Sequence, residues 1–378
     1  MRSHQNAHIA IVGMAGMFPG ASSLEEFWSN LLARKDAARE VPAGRWHVEP
    51  AALKSATPGQ PDRVASVRGC FLDKFEFDAE GLDVDPAFVS QLDVLSHIVL
   101  HTGRAAFRDA VMTGVNLDRV GVALANIALP TESVSKLSRE VLLPALLEAK
   151  PPIVPEALAA ARYVTGLPAG LLAKGLGLGA GTFTIDAACA SSLYSLDVAC
   201  RELRTGRADA MLAGGVSRPD SLYTQIGFTA LHALSPTGRC SPFDSRGDGL
   251  LVGEGAGIFV LKRLDDAIHA GDRVYGVIRG IGLSNDVGGK LLAPDSEGQL
   301  RAMRGAYDEA GWQPSDVDLI ECHGTGTPVG DAVELGSLIS LWGDKGWTPG
   351  QCVIGSVKAS IGHLLTGAGA AGLVKTLP

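Results

Sequence analysis

The sequence has no run of basic residues and no excess of positive charge. Its 378 residues include 33 Lys and Arg against 41 Asp and Glu, which gives a formal net charge of −8. Proteins that bind nucleic acid or an anionic membrane surface usually present a basic patch or stripe. We therefore expect this protein to have no nucleic-acid partner.

Long apolar runs are missing as well. No segment approaches the roughly 20 apolar residues that a transmembrane helix needs. The first residues, MRSHQNAHIAIVGM, lack the charged start and the long apolar segment of a secretory signal peptide. The sequence therefore predicts no membrane span and a cytoplasmic location.

The cysteines form no recognisable ligand or disulfide pattern. They occur singly at positions 70, 189, 200, 240, 322 and 352, with no CxxC pair and no zinc-like spacing. Scattered cysteines are typical of proteins from a reducing compartment. We expect no metal site and no disulfide framework.

Two other familiar motifs are absent or misleading. The sequence contains no GxSxG, which argues against a serine hydrolase. The segment GAGAAG at 367–372 matches GxGxxG, but a dinucleotide site needs a strand immediately before it, and here a helix is already under way. We interpret this segment as helix packing and predict no bound cofactor.

β-Type runs alternate along the chain with segments of helical periodicity, such as SLEEFWSNLLA and SEGQLRAMRGAYDEAG. The predicted strands lie in IAIVGM, RVGVALANI, GTFTIDAAC, ADAMLAGGVS, AGIFVLKRL, VYGVIRGIGLS, DVDLIECHG and QCVIGSVKAS. This alternation predicts an α/β fold with largely buried sheets.

The chain divides most naturally after KRLDDAIHAGD, because that segment has helical periodicity and a new strand begins at Val274. We therefore predict an N-terminal half at residues 1–270 and a C-terminal half at residues 271–378.

Cys189 stands between a predicted strand and a predicted helix. The β-formers TFTI precede it, and Leu193, Leu196, Cys200 and Leu203 follow at helical spacing. Free cysteine is usually a small buried hydrophobe. A thiol at a helix N-terminus, however, has its thiolate favoured by the backbone N–H groups, with a pKa below the roughly 8.5 of a free thiol. The position is open to both interpretations, a packing residue or a nucleophile.

Two histidines occupy similar positions. His323 follows the strand in LIECHGTGTPVGD, before a helix predicted from about Asp331, and His363 follows a strand and a turn in CVIGSVKASIGH. Open α/β sheets generally build their sites just past the carboxyl ends of strands. A single histidine in such a position is more often structural. Here Cys189, His323 and His363 all lie just past the ends of predicted strands, and this repeated placement favours an active site. Cys322 should point to the opposite side of its strand.

Three motifs carry a specific resemblance. They are DAACASSL around Cys189, HGTGTPVGD at His323 and GSVKASIGH ending at His363. In this order and context they resemble the β-ketoacyl synthases, the condensing enzymes of fatty-acid and polyketide assembly. The resemblance runs from about Ile9 to the C-terminus. It implies an α/β, thiolase-like fold with a layered αβαβα architecture made of two similar halves.

The resemblance implies a role for each of the three residues. Cys189 would take an acyl chain as a thioester from the phosphopantetheine of an acyl carrier protein. His323 and His363 would donate hydrogen bonds to the carbonyl oxygen of a malonyl thioester as an enolate forms on loss of CO₂. The carbanion would then attack the Cys189 thioester and leave a β-ketoacyl chain on the carrier.

The family pattern also implies four supporting residues. Thr325 and Thr327 match positions that hydrogen-bond the pantetheine arm, although threonines beside glycine also form turns. Lys358 matches a position that supports the histidines electrostatically, and the alternative is a solvated lysine. Glu334 matches another such position, but DAVE from Asp331 also fits a helix N-terminal capping box.

The partners implied by the resemblance are an acyl carrier protein and a second copy of the chain in a homodimer. The segment FPGA, followed by LEEFW, is similar to synthase domains embedded in multifunctional polyketide enzymes. The chain is therefore expected to be part of a larger multidomain synthase.

Other interpretations stay open. A thiolase-type acyltransferase would use CoA substrates, but HGTGT and GSVKASIGH argue against it. A non-catalytic, chain-length-type partner would lack the nucleophile, which Cys189 argues against. The family normally continues past LVKTLP with further strands and a glycine-rich segment, so we expect that C-terminal strands are missing. A truncated, inactive fragment is therefore a further alternative.

Overall fold

The computed structural model describes residues 7–55, 57, 60–147, 164–289, 293–343, 348 and 350–377. Within these ranges strands and helices alternate, which confirms the α/β class. The strands are β1 (Ile9–Met17), β2 (Arg39–Glu40), β3 (Arg68–Gly69), β4 (Val120–Ala125), β5 (Thr182–Ile185), β6 (Ala210–Ser217), β7 (Gly255–Arg263), β8 (Gly276–Ile278), β9 (Leu319–Glu321) and β10 (Val353–Gly355).

The helices of the described residues range from single turns to four turns. They are α1 (Leu24–Leu32), α2 (Pro50–Leu53), α3 (Pro86–Val89), α4 (Val94–Asp109), α5 (Glu132–Leu146), α6 (Leu167–Leu176), α7 (Ser191–Arg204), α8 (Ser221–Ala230), α9 (Leu264–Ala270), α10 (Ser296–Ala310), α11 (Pro328–Trp342), α12 (Lys358–Ile361) and α13 (Ala368–Thr376). The helix predicted from about Asp331 begins three residues earlier, because Pro328 occupies its first turn.

Six strands form one mixed sheet in the order β5-β4-β6-β7-β1-β8. Strand β4 pairs parallel with both β5 and β6, whereas β7 pairs antiparallel with β6 and β1. Strands β9 and β10 form a separate parallel pair. The carboxyl ends of β5 and β9 lead directly towards Cys189 and His323, so the topology sets where these side chains lie.

The large sheet is covered on both faces. Every residue of β4 is buried. Val122 and Leu124 face a core shared with α4 and α6, and Ala123 faces a second core shared with α7 and α13. A strand buried on both faces is a continuous apolar run rather than an alternating one, which explains the sequence VGVALA.

Helix α13 lies between the two sheets. It contacts β6 and β7 of the large sheet and β9 of the small one. Gly372 permits the close approach to β9, because a Cβ at this position would lie only 3.0 Å from Cγ of Glu321. The segment GAGAAG is therefore helix packing, as predicted.

Strand β8 lies beyond the predicted boundary at residue 270. It pairs antiparallel with β1, with Ile9 opposite Ile278, and so forms an edge of the six-stranded sheet. The division into residues 1–270 and 271–378 stays a prediction, and β8 is a point where the two segments meet in one sheet.

Helix α7, which follows Cys189, is fixed to the sheet by small polar side chains. The Ser195 hydroxyl donates to the Gly214 carbonyl at 2.9 Å and accepts from the Gly214 N–H at 3.1 Å. Ser192 donates to the Thr366 carbonyl, and the Thr366 hydroxyl donates to the Val216 carbonyl at 2.6 Å. These bonds hold the start of α7 between β6 and the segment that follows His363.

No helix in the described part of the chain is both long and apolar enough to cross a lipid bilayer.

The close approach of β7 to β6 predicts that Gly214 tolerates no side chain. Its φ is 146°, and an added Cβ would lie 2.1 Å from the Gly257 carbonyl oxygen. We expect Gly214→Ala to lower the free energy of unfolding by at least about 2 kcal/mol, measured by urea denaturation.

The matched control for this prediction is Gly170→Ala in α6, where an added Cβ has no heavy atom within 4 Å. This substitution should leave stability unchanged or raise it by up to about 1 kcal/mol, because alanine is the better helix former. Equal effects of the two substitutions would contradict the packing argument.

Candidate active site

Cys189 lies in a single 3-10 turn, Ala188–Ala190, between β5 and α7. Ala188 has a φ of 49°, in the left-handed region that residues other than glycine rarely adopt. The Asp186 carboxylate accepts a hydrogen bond from the Ala188 N–H at 3.1 Å and so supports this conformation. Strained backbone of this kind is concentrated at functional sites. It turns the thiol away from the helix and into a cavity.

His363 approaches this thiol directly. Its Nε2 lies 3.1 Å from Sγ of Cys189, and its side chain is buried. The His363 N–H donates to the Leu251 carbonyl at 2.6 Å, and the His363 carbonyl accepts from the Gly253 N–H at 2.9 Å. The backbone is thus held from both sides, and the imidazole has a fixed position beside the sulfur.

The other ring nitrogen of His363 decides which tautomer is present. The Leu365 N–H donates to Nδ1 at 3.0 Å, so Nδ1 carries the lone pair and Nε2 carries the proton of the neutral ring. Leu365 has a φ of 45°, which aims its N–H back at the ring. His363 therefore presents an N–H donor to Cys189.

Burial keeps His363 in this neutral form. Desolvation lowers the pKa of His363 well below the ordinary value of 6.5, and the charge of Lys358 and the neighbouring His323 lower it further. At neutral pH the ring donates a hydrogen bond without giving up a proton. It already has a proton at Nε2, so it is a poor base for the Cys189 thiol.

His323 lies on the other side of the cavity, two residues after β9. Its ring is nearly perpendicular to that of His363, with 5.4 Å between the ring centroids. The side chain is accessible from the cavity, but desolvation by the surrounding protein, with a smaller effect from Lys358, lowers the pKa of His323 to about 4. Both histidines are therefore neutral donors near pH 7.

Glu334 fixes the backbone at His323. Its two carboxylate oxygens accept from the His323 N–H at 2.6 Å and from the Gly324 N–H at 2.7 Å. The capping-box interpretation is wrong, because α11 begins at Pro328 and places Glu334 in the helix interior. Burial raises the pKa of Glu334, and the two N–H donors oppose this rise.

Asp331 has a similar function that the sequence did not reveal. Its buried carboxylate accepts from the backbone N–H groups of Thr325 at 3.0 Å, Gly326 at 3.2 Å and Phe243 at 2.8 Å. An aspartate in the first turns of a helix is usually a local cap. Here it organises the loop that follows His323 and joins it to the segment of Phe243.

Thr325 and Thr327 lie on this loop, away from the cavity that contains the thiol. Their hydroxyl groups hydrogen-bond each other at 2.9 Å, and Thr325 is buried. They do not belong to the residues that line the Cys189 cavity. Their predicted contact with a pantetheine arm stays a prediction.

Lys358 is a buried cation and not a solvated one. Only 4% of its surface is exposed, and it begins the short helix α12 that leads to His363. Burial lowers the pKa of Lys358, while the nearby Glu321, Cys189 and Glu334 oppose that shift.

Three of the predicted residues line one cavity of about 630 Å³. Cys189, His323 and Lys358 line it, together with apolar positions such as Leu193. Cys322 is also among the residues that line it. The expectation that the Cys322 side chain points to the opposite side of its strand from His323 stays a prediction.

The two thiols of the cavity differ in ionisation. Burial raises the pKa of Cys322 to about 12, which leaves it protonated at neutral pH. Burial also raises the pKa of Cys189, but Lys358 and a backbone N–H oppose this effect. The expectation that the helix N-terminus lowers the pKa of Cys189 below that of a free thiol is therefore not supported, because desolvation outweighs it.

The site combines three features. A cysteine lies at a strand–helix junction, a neutral imidazole donates to its sulfur, and a second histidine lies across the cavity. On layered mixed sheets, this arrangement is characteristic of the thiolase-like condensing enzymes. The chain belongs to the β-ketoacyl synthase family: the family's N-terminal domain matches residues 6–267 and its C-terminal domain matches residues 275–378.

Curated relatives are polyketide synthases. The chain is 36% identical, over 98% of its length, to a mycocerosic acid synthase-like polyketide synthase of Mycolicibacterium smegmatis. It is 35% identical, over 99% of its length, to the polyketide synthase ThaG of Burkholderia thailandensis. The chain spans only 17% and 6% of these two proteins.

Solved structures support the same fold. The PfaC keto synthase–chain length factor is 38% identical with a TM-score of 0.88, and the match covers 98% of this chain and 41% of that one. The ketosynthase from module 6 of the bacillaene synthase of Bacillus subtilis 168 is 31% identical with a TM-score of 0.81, covering 97% and 60%. The thiolase-like α/β fold is thereby confirmed.

The effect of Lys358 on the thiol gives a testable prediction. Since the ammonium favours the Cys189 thiolate, Lys358→Met should raise the pKa of Cys189 by about one pH unit or more. The rate of iodoacetamide alkylation at Cys189, followed by peptide mass spectrometry across pH, would measure the shift. Lys174→Met, at an exposed lysine paired with Asp83, is the control. Identical alkylation profiles for the two variants would contradict the prediction.

Proposed function

We propose that this chain is a β-ketoacyl synthase domain that catalyses decarboxylative condensation between an acyl chain held on Cys189 and a malonyl-type thioester. The observation that carries the proposal is the 3.1 Å contact between Nε2 of His363 and Sγ of Cys189, with Nδ1 occupied by the Leu365 N–H. This geometry supplies a donor to the sulfur and to an oxygen anion near it.

The first step is acyl transfer. The Cys189 thiolate attacks the carbonyl carbon of an acyl thioester, the bond to the pantetheine sulfur breaks, and the leaving thiolate takes up the proton lost from Cys189. The His363 N–H donates to the sulfur, and the Lys358 cation opposes the effect of burial on the pKa of Cys189.

The second step is loss of CO₂ from the malonyl thioester. The carbon–carbon bond to the carboxylate breaks, and its electron pair moves into the enolate of the thioester. His323 and His363 are neutral donors whose ring centroids lie 5.4 Å apart, and both N–H groups donate to the enolate oxygen.

The third step forms the product. The enolate carbon attacks the carbonyl of the Cys189 thioester, a carbon–carbon bond forms, and the carbon–sulfur bond breaks to release the Cys189 thiolate. The β-ketoacyl chain stays on the carrier. Lys358, Glu334 and Asp331 support the geometry and charge of the site and take no part in the bond changes. Thr325 and Thr327 are proposed to contact the pantetheine arm of the entering substrate.

The proposed partners follow from the same chemistry. Substrates carried on the phosphopantetheine of an acyl carrier protein fit a 3-oxoacyl-[acyl-carrier-protein] synthase activity, in polyketide or fatty-acid biosynthesis, with no bound cofactor. We propose a cytoplasmic homodimer within a multidomain synthase. Strand β5 supports the dimer, because it forms one edge of the large sheet and Phe183 on it is exposed.

The alternative is a non-catalytic partner of the chain-length type. The name of one structural neighbour includes a chain length factor. The nucleophile position argues against this role for the present chain, because Cys189 is both present and contacted by His363. Single, rapid labelling of Cys189 by a thiol-directed acyl analogue would support the enzyme, and slow labelling of all cysteines would support the partner.

Variants at the three residues should separate the steps. Cys189→Ala should abolish acylation and condensation but still release CO₂ from a malonyl-carrier substrate. His323→Ala should still be acylated, yet lose CO₂ release by about 10²–10³-fold, because an enolate donor is missing. His363→Ala should lose CO₂ release similarly and also acylate more slowly, since its ring contacts the thiol.

Acyl-enzyme formation would be measured by mass spectrometry and CO₂ release by a coupled assay. Cys352→Ala and His269→Ala, outside the cavity, are the matched controls and should behave as the parent protein. Parental decarboxylation in both His323→Ala and His363→Ala would refute the two-histidine mechanism for this protein.

A further inference from the structure

Glu321, the last residue of β9, makes contacts that the proposed mechanism does not use. One carboxylate oxygen, Oε1, accepts from the Val357 N–H at 2.6 Å. The other, Oε2, accepts from Nζ of Lys375 at 2.6 Å. The side chain lines the cavity that contains Cys189. A carboxylate with both oxygens committed in this way is fixed in orientation.

These contacts join three elements that form the site. Glu321 stands two residues before His323, Val357 stands directly before Lys358, and Lys375 lies on α13. Gly372 of α13 packs against the Glu321 side chain, where a Cβ would come within 3.0 Å of Cγ. A substitution at Glu321 would therefore alter contacts with the His323 loop, the Lys358 turn and helix α13.

Charge gives Glu321 a second function. Lys358 is buried, and no hydrogen bond or ion pair within the described ranges involves its Nζ. Glu321, together with Cys189, Glu334 and Cys240, opposes the lowering of the Lys358 pKa by burial. The ionisable groups that face Lys358 come from several elements: Glu321 from β9, Cys189 from the turn before α7, Glu334 from α11, Cys240, His323 and His363.

We propose that Glu321 is a positioning residue of the Cys189 site, which anchors the turn of Lys358 to β9 through the Val357 N–H and places a negative charge beside that turn. Lys375 holds the Glu321 carboxylate in place from α13. The consequence for condensation rests on the proposed function, because the Lys358 cation matters there through the Cys189 thiolate. The positioning itself is a property of the folded chain and is measurable without any substrate.

Two substitutions separate the anchoring from the charge. In Glu321→Gln, the amide oxygen can still accept from the Val357 N–H, but the negative charge is gone. In Glu321→Ala, both the hydrogen-bond acceptor and the negative charge are gone. The pKa of Lys358 would be measured by competitive acylation of lysines with acetic anhydride across pH, with each site quantified by peptide mass spectrometry.

We expect Glu321→Gln to lower the pKa of Lys358 by about one pH unit, since a carboxylate that favours the cation has been removed. Thermal unfolding of this variant should stay close to that of the parent. Glu321→Ala should lower the pKa of Lys358 at least as far and also unfold at lower temperature. A variant affected only in stability, with the Lys358 profile unchanged, would overturn the proposal.

Glu309→Gln is the matched control. Glu309 on α10 likewise accepts from a backbone N–H, that of Ile281 at 2.9 Å, and from Arg204 at 2.6 Å, but it lies outside the Cys189 cavity. It should leave the Lys358 profile unaltered, and an equal shift in this control would also overturn the proposal.

Condensation by the parent protein and by Glu321→Gln would be compared in parallel. A shifted Lys358 profile with slower condensation at alkaline pH supports both the positioning and the proposed function. A shifted Lys358 profile in Glu321→Gln, together with a parent protein that never condenses, supports the positioning and refutes the proposed function.

Discussion

The hydrogen bond from the Leu365 N–H to Nδ1 of His363 is the contact on which the chemistry of the site depends. It fixes the tautomer in which Nε2 carries the proton and faces Cys189 at 3.1 Å. With the opposite tautomer the ring would accept from the thiol and act as its base. The left-handed backbone at Leu365 aims its N–H at the ring, and hydrogen bonds to Leu251 and from Gly253 fix the backbone of His363.

Much of the fold was open to prediction from local sequence. Continuous apolar runs such as VGVALA predicted strands buried on both faces, and the strand–turn–helix placements of Cys189, His323 and His363 predicted that they share a site. The motifs alone did not show convergence, but the cavity brings Cys189 and His323 together, and His363 contacts Cys189. Topology supplied this result across two sheets, because the carboxyl end of β5 in the large sheet and those of β9 and β10 in the small one lead into the same site.

Long-range contacts were not predictable in the same way. Glu334 was open to interpretation as a cap because a capping box is a local pattern, whereas its actual partners are 10 and 11 residues away. Asp331 bonds Phe243, 88 residues away, and Glu321 bonds Lys375, 54 residues away. Nothing in the spacing of acidic residues along the chain distinguishes these carboxylates from solvated ones.

Desolvation has opposite effects on the groups of this cavity. It keeps His323 and His363 neutral, which is the form in which the proposed mechanism has them donate hydrogen bonds to an enolate. The same desolvation raises the pKa of Cys189 and would leave the nucleophile protonated. In the proposed mechanism the Lys358 cation opposes this effect of burial on the Cys189 thiol. Burial disfavours that cation in turn, and the Glu321 carboxylate, bound to the N–H of the adjacent Val357, opposes the loss of its proton.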